Sequence, residues 1–567
     1  KKERAKTDSI MKLLTTASLC LLCLGSTWAS LLRHHHHHHE EQLSSSLCNA
    51  AKDAASCRQE KDEFGQSCVW CKCQAIPSEC LTLEQSKQVP PGVFECDSAS
   101  GKKSNSRLSQ MQLVEKSSAL CDEGSKSGYV AIPESKYDQS GENKHLFYWM
   151  FTKRGGDIED KKIPFVVWLT GGPGCASTMA LLSENGPCSV NSDGKTTTLN
   201  PYSWTEVAHV LWLDQPAGVG YSYGRATDSN EDMVSEDAYW FLQKFFEEHS
   251  EFQGNPLYIV GESYGGHYAP AIAHRVNTYN KALPSADAKV LPLSGLGIGN
   301  GLTKPEEQYK VRGKEKTFLY LCALEMMVRR ISFFVYQWYP EMAFNNTHGI
   351  KVVNKEIYEA MKSSVSACTK LIHQCNKGNN PIDGFACQSA FAVCNEALVT
   401  PYQMTGRNPY DIRKECGPHP LCYDFDAIGK FMNSRETKEA LGVDRHSHRW
   451  QSCNFGINAK FHVDWMKDFS HYVADLLDDG IPALIYAGDV DFICNFLGNR
   501  AWTTQLEWKG GDDFRAAIEH EWNGAGMART SGGFTFLQIY DAGHMVPSDQ
   551  PNVALEMMDT FLSGNEF

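Results

Sequence analysis

The chain has no excess of basic residues, no long apolar run and no internal repeat. Against 54 lysines and arginines stand 68 aspartates and glutamates, a formal net charge of -14, with a pI near 5.8. A surface of that sign repels polyanions, which argues against nucleic acid and anionic membranes as partners. No stretch reaches the ~20 consecutive apolar residues that a membrane-spanning helix needs. The lack of repeats sets aside solenoids and propellers. Acceptor sequons are nearly absent too: Asn345-Asn346-Thr347 alone qualifies, which predicts a glycan at Asn345.

Cysteine, by contrast, is plentiful. Met11 and Lys12 open a short apolar segment, "LLTTASLCLLCLG", followed by "STWA". This is the pattern of a signal peptide over residues 11–29. Residues 1–10 read as upstream sequence, and the six histidines at 34–39 as a purification tag rather than a native metal site. Of twenty-one cysteines, Cys20 and Cys23 fall in the signal segment, which leaves nineteen. In a chain sent into an oxidising compartment such a number predicts a disulfide framework, and an odd number leaves at least one thiol free. The expected route is the secretory pathway, ending in a lysosome or vacuole or outside the cell.

Eight cysteines (Cys48, Cys57, Cys68, Cys71, Cys73, Cys80, Cys96 and Cys121) crowd the segment that precedes the first regular strands. Residues 40–125 are therefore expected to form a small disulfide-bonded module, a propeptide in outline. From residue 126 to 567 the pattern changes. Near-continuous apolar runs ("PFVVWLT", "HVLWLD", "PLYIVG", "PALIYAG", "FTFLQIYDAG") alternate with helical segments such as "SEDAYWFLQKFFEEH" and "WMKDFSHYVADLLDDG". Strands apolar on both faces and separated by helices predict an α/β fold, with a doubly wound, mostly parallel sheet. Residues 305–430 interrupt the alternation and read as a helical, disulfide-bonded cap insertion.

Three residues stand at strand ends in the order serine, acid, histidine. GESYGG at 261–266 follows an apolar strand and has the form of a nucleophile elbow carrying Ser263. Asp491 follows "PALIYAG", and His544 follows the last strand. A serine hydroxyl needs a base, and the base needs an acid to hold its tautomer. The glycine-rich WLTGGPGCAS at 168–177 lacks the Gly-Lys-Ser/Thr ending of a phosphate loop. It reads instead as an oxyanion loop, with the N–H of Gly172 and that of Tyr264 as donors. Glu262 is the odd residue, since an anion beside the serine should hinder it.

These motifs, with WLDQPAGVGYSY at 212–223, YAGDVDFICNFLGN at 486–499 and DAGHMVP at 541–547, resemble the serine carboxypeptidases, which have the α/β-hydrolase fold. The segment TPYQMTGRNPYDIRKECG and the later LCYDF resemble the carboxypeptidase Y-like branch. The resemblance spans roughly residues 125–567. It implies release of single C-terminal residues from peptides and proteins at acidic pH through an acyl-enzyme, without cofactor or metal. It gives Glu262 a partner, Glu184, and assigns the pair to the substrate's C-terminal carboxylate. Two adjacent carboxyls retain a proton and can donate it to that carboxylate. Trp168 and Thr170 complete the set, although many relatives have asparagine at the position of Thr170. The resemblance places Cys494 and Met545 in the leaving-residue pocket and implies the disulfides Cys175–Cys453, Cys368–Cys394, Cys375–Cys387 and Cys416–Cys422. Cys188 and Cys322 are left unassigned. The same triad would also serve acyl transfer to small molecules.

Overall fold

The computed structural model describes three strands, Val69–Cys73, Glu79–Leu81 and Phe94–Cys96, and then residues 112–567. Residues 119, 134–136, 138–141, 310–337, 379–380 and 420 are excepted. The expected signal peptide, the histidine run and Cys322 lie outside the described residues. The chain divides into two compact units, Lys1–Asn105 and Ser106–Phe567. In the first, Val69–Cys73 is the centre of a three-stranded antiparallel sheet.

The second unit is built on eleven strands in one sheet: β1 (Gln112–Ser118), β2 (Ser125–Ile132), β3 (Lys144–Phe151), β4 (Phe165–Thr170), β5 (His209–Asp214), β6 (Leu257–Glu262), β7 (Leu293–Gly299), β8 (Ala483–Gly488), β9 (His520–Trp522), β10 (Gly526–Ser531) and β11 (Phe534–Ile539). Their spatial order is β9-β10-β11-β8-β7-β6-β4-β5-β3-β2-β1. The six from β5 to β11 run parallel, and both margins are antiparallel. Strands β4, β5, β6, β8 and β11 are buried at every position. This explains their largely apolar sequence: helices cover both faces, so neither side needs to be polar. The result is the doubly wound α/β-hydrolase architecture that the sequence predicts.

The helix Glu231–Glu248 begins where the Asn230 side chain accepts from Met233 N, and it buries Phe241, Phe245 and Phe246 against the sheet. The helix Gly265–Lys281 leaves directly from the end of β6. The expected helix over "WMKDFSHYVADLLDDG" is shorter, Ser470–Asp478.

Residues 112–118 correct the expected boundary. β1 pairs with β2 from Gln112↔Ala131 to Ser118↔Ser125, so this stretch is the edge of the large sheet rather than the end of the cysteine-rich module. Its alternating exposure suits an edge strand that is wet on one face. Cys121, counted above with that module, bonds instead to Cys188 in the second unit, across 67 residues of sequence.

Between Gly299 and Ala483 the described residues leave the sheet and fold mainly into helices. Cys368–Cys394 and Cys375–Cys387 staple the helix Lys355–Cys375 to Pro381–Cys394. Helices continue beyond the expected end at 430, through Arg435–Leu441 to Ser470–Asp478. Asn345 sits just past the helix Trp338–Phe344 and is exposed.

Candidate active site

The carboxyl ends of the parallel strands converge, as they do where open α/β sheets bind ligands. β4 ends at Thr170, β6 at Glu262 with Ser263 next, the loop after β8 carries Asp491, and the loop after β11 carries His544. Thr170 and Glu262 are direct neighbours in the parallel register of β4 and β6.

Ser263 has φ of 64°, in the left-handed region that a side chain enters at a cost of order 1 kcal/mol. Its backbone is held there: Ser263 N donates to Gly299 O at 3.0 Å, and its carbonyl accepts from Leu302 N and Gly266 N at 2.9 Å each. The flanking glycines are needed for contact, since a Cβ at Gly261 would lie 2.5 Å from Gly265 O and one at Gly265 2.8 Å from Leu169 O. A Cβ at Gly171 would lie 2.3 Å from Tyr264 N, so the glycine loop rests directly on the elbow. Gly172, with φ of 106°, lines one cavity together with Ser263 and His544.

His544 Nδ1 donates to Asp491 Oδ2 at 2.8 Å, and both side chains are buried. Asp491 is fully enclosed and accepts three further bonds: Asn300 Nδ2 at 2.8 Å, Ile493 N at 3.0 Å and Cys494 N at 3.2 Å. That many donors fix both carboxylate oxygens and, through them, the histidine ring.

Glu184 and Glu262 are buried against each other. Burial raises the pKa of both; the contact between the carboxyls then lowers Glu184 and raises Glu262 further. The contact falls short of full hydrogen-bond geometry, because both Glu184 oxygens and Glu262 Oε2 are buried without a partner among the described residues. Trp168 Nε1 donates to Thr170 Oγ1 at 2.9 Å, which leaves the threonine hydroxyl's own proton for another acceptor.

The cavity at Ser263 is narrow, about 90 Å³, and takes in six of the sequence-predicted residues: Thr170, Gly172, Glu262, Ser263, His544 and Met545. Trp168, Glu184, Tyr264, Asp491 and Cys494 stand behind its walls, all buried. Burial, with the Asp491 and Glu262 charges, pushes the Cys494 thiol well up, while a contact with the Ser263 side chain acts the other way. Cys494 is the free cysteine among the described residues. Cys175–Cys453 and Cys416–Cys422 are bonded as the resemblance implies, with Cα atoms 3.9 and 4.6 Å apart.

Several residues at the site escaped the sequence reading. The stretch 408–414 buckles the two catalytic loops together. Pro409 O accepts from Phe492 N and Ile493 N, Ile412 N donates to Val490 O, and Tyr410 O accepts from His544 N at 2.8 Å. Asp411 and Arg413 lock this strap, and Lys414 pairs with Asp549, whose Oδ2 accepts from Gly543 N. On the far side His348 reaches Asp489 at 3.1 Å, while Asp489 accepts from Asp541 N. Asn300 did carry a signal: an asparagine before glycine at a strand end suits positive φ, and it has φ of 41°.

Comparison with known proteins agrees with this geometry. The serine carboxypeptidase family model matches residues 116–564. The chain is 40% identical over 447 residues to carboxypeptidase Y homolog A of Phaeosphaeria nodorum, covering 77% of this chain and 73% of that one. It is 36% identical over 456 residues to serine carboxypeptidase-like 48 of Arabidopsis thaliana, covering 79% and 80%. Among solved structures it is similar to Kex1(delta)p, a prohormone-processing carboxypeptidase from Saccharomyces cerevisiae. The TM-score is 0.63 at 23% identity, over 78% of this chain and 92% of that one, a likeness of fold. With a family match over most of its length and the motifs gathered at one end of the sheet, the chain belongs to the serine carboxypeptidase family of hydrolases.

Proposed function

We propose that the protein removes single residues from the C-termini of peptides and proteins in acidic surroundings, by way of an acyl-enzyme on Ser263. The observation that carries this reading is the buried Glu184–Glu262 pair beside a serine, histidine and aspartate in triad order. A protonated carboxyl beside the cavity donates to a terminal carboxylate; an internal peptide segment offers no such group.

In this mechanism His544 Nε2 takes the Ser263 hydroxyl proton as the oxygen attacks the last peptide carbonyl. Asp491 holds Nδ1–H and stabilises the imidazolium that forms. The N–H groups of Gly172 and Tyr264 receive the oxyanion. The imidazolium then protonates the departing amine, and the free residue leaves past Met545 and Cys494. Water, activated by the same histidine, hydrolyses the ester. Trp168 fixes Thr170, whose hydroxyl donates to the terminal carboxylate beside the glutamates.

The signal segment and the disulfides support a place in the secretory pathway, in a lysosome or vacuole or outside the cell, with a glycan on exposed Asn345. A fluorophosphonate probe tests the nucleophile. Stoichiometric labelling at Ser263 is expected, and labelling elsewhere or none in an intact preparation contradicts the assignment.

A further inference from the structure

Behind the nucleophile lies a buried contact that takes no part in the proton transfers. Tyr264 follows Ser263 and stands at the N-terminal end of the helix Gly265–Lys281, which has no side-chain cap. The Tyr264 N–H donates to nothing among the described residues, which leaves it free to meet an oxyanion. With no bond of its own, its direction is set by the flanking backbone and by whatever holds the Tyr264 side chain.

That side chain is buried and gripped along its length. Its ring stacks on His267 with centroids 4.4 Å apart and meets Trp465 at 5.4 Å. His267 Nδ1 donates to Leu302 O, and Leu302 N donates to Ser263 O, so the ring rests on the frame that holds the elbow. At the far end the Tyr264 hydroxyl donates to Asp464 Oδ2 at 3.3 Å, a buried contact between residues 200 apart in sequence.

Asp464 is fixed independently of the catalytic loops. Its carboxylate also accepts from the backbone N–H of Glu231, the first residue of the helix Glu231–Glu248. Asp464 N donates to Phe461 O at 2.9 Å, and Phe469 N to Thr303 O at 2.9 Å. Between them Asn376 Nδ2 donates to Met466 O at 2.8 Å, and Lys467 Nζ to Cys375 O at 2.7 Å. Asp464 lines a separate cavity of about 460 Å³ that shares no wall residue with the one at Ser263. It therefore acts on the reaction only through Tyr264. Burial pushes its carboxyl up to about 7, and an acid so placed beside a reacting centre is a common mark of function.

We propose that Asp464 is a positioning residue for the reaction: by holding the Tyr264 hydroxyl it keeps the Tyr264 N–H aimed at the oxyanion. The inference rests on the carboxypeptidase reading, with Tyr264 N–H as an oxyanion donor, and gives that donor its support from outside the catalytic loops.

The test begins with Tyr264→Phe, which removes one oxygen and keeps the ring, with active sites counted by fluorophosphonate titration. Its kcat on a blocked peptide should fall about tenfold, short of the ~10²–10³-fold lost with a whole oxyanion donor. KM should stay within about twofold, because the contact acts in the transition state and the residues at the terminal carboxylate are untouched. A peptide aldehyde adds to Ser263 Oγ and places its own oxygen in the hole, so its affinity should fall about as far as kcat. Asp464→Leu should match Tyr264→Phe, and the double variant should be no worse than either, since one contact is lost in all three. Asp464→Asn keeps an oxygen that accepts from the hydroxyl and should restore most of kcat. Wild-type kcat and aldehyde affinity in Tyr264→Phe overturn the role, as does a loss carried by KM alone. Additive losses in the double variant, or Asp464→Asn as impaired as Asp464→Leu, overturn it too. A wild-type enzyme that releases no C-terminal residue overturns the carboxypeptidase reading instead.

Discussion

Replacing Glu184 and Glu262 together by glutamine removes the ionisable pair beside the cavity while keeping amide donors of nearly the same shape. In the wild-type protein burial raises both carboxyls and the Glu184 contact raises Glu262 further, so the pair keeps a proton well above the ordinary carboxylate range. On the proposed reading a substrate carboxylate needs that proton. Above the raised pKa, binding must be accompanied by proton uptake, so affinity falls about tenfold for each further pH unit. With Glu184 raised to about 7 and Glu262 raised as well, KM for a blocked peptide should rise steeply as pH climbs through and beyond neutrality, with kcat changing less. An ester or amide without a free carboxylate should escape this penalty and stay active at higher pH. In the double glutamine variant the donor is present at every pH, so the KM profile for peptides should flatten. Its acid-side affinity should fall modestly, by about 1 kcal/mol, the step between an ordinary and a stronger hydrogen bond. The assay is a pH series of kcat and KM on paired peptide and ester substrates. A double variant with the wild-type KM profile refutes the recognition role of these two residues.

The other predictions are briefer. Ser263→Ala should fold normally and lose activity by about 10⁶-fold, because the triad acts as a unit; residual turnover near wild type in a pure preparation would move the nucleophile elsewhere. Cys494→Ser should keep substantial activity, losing only about 1–3 kcal/mol of discrimination at the leaving residue, and should lose sensitivity to mercurials; inactivation as complete as that of Ser263→Ala would give the thiol a chemical role. Thermal stability should be greatest in acid. Burial raises Asp214 to about 7 and raises Asp464 and Glu231 as well. A carboxyl that is raised in the fold stabilises fully below its unfolded pKa near 4, and that contribution is lost as pH climbs through the folded value. Tm should therefore decline from about pH 5 to pH 8, and Asp464→Asn should flatten the slope; a Tm that is higher at pH 8 contradicts the argument.

The central strands were legible because burial on both faces leaves little choice of residue: β8 is apolar throughout, and β4 and β6 are apolar up to their last residues, Thr170 and Glu262. Ser263 was legible because the elbow dictates its glycine neighbours, and Asp491 and His544 because each follows such a strand. β1 was not. Its "QLVEKSS" alternates as an edge strand does, but it lies in a segment dominated by cysteines and polar residues, where only pairing with β2 reveals it. The Cys121–Cys188 bond joins residues 67 apart that only the tertiary fold brings together. The strap at 408–414 grips the catalytic loops mainly through backbone N–H and carbonyl groups, which any residue could supply.

The central claim is best tested by digesting a defined peptide mixture with the purified protein from pH 4 to pH 8 and reading the products by mass spectrometry. The account predicts ladders that shorten by one residue at a time from the C-terminus, strongest in the acid range, and absent for C-terminally amidated copies of the same peptides near pH 4.5. Internal cuts, losses from the N-terminus, or equal trimming of free and amidated peptides in acid would contradict it.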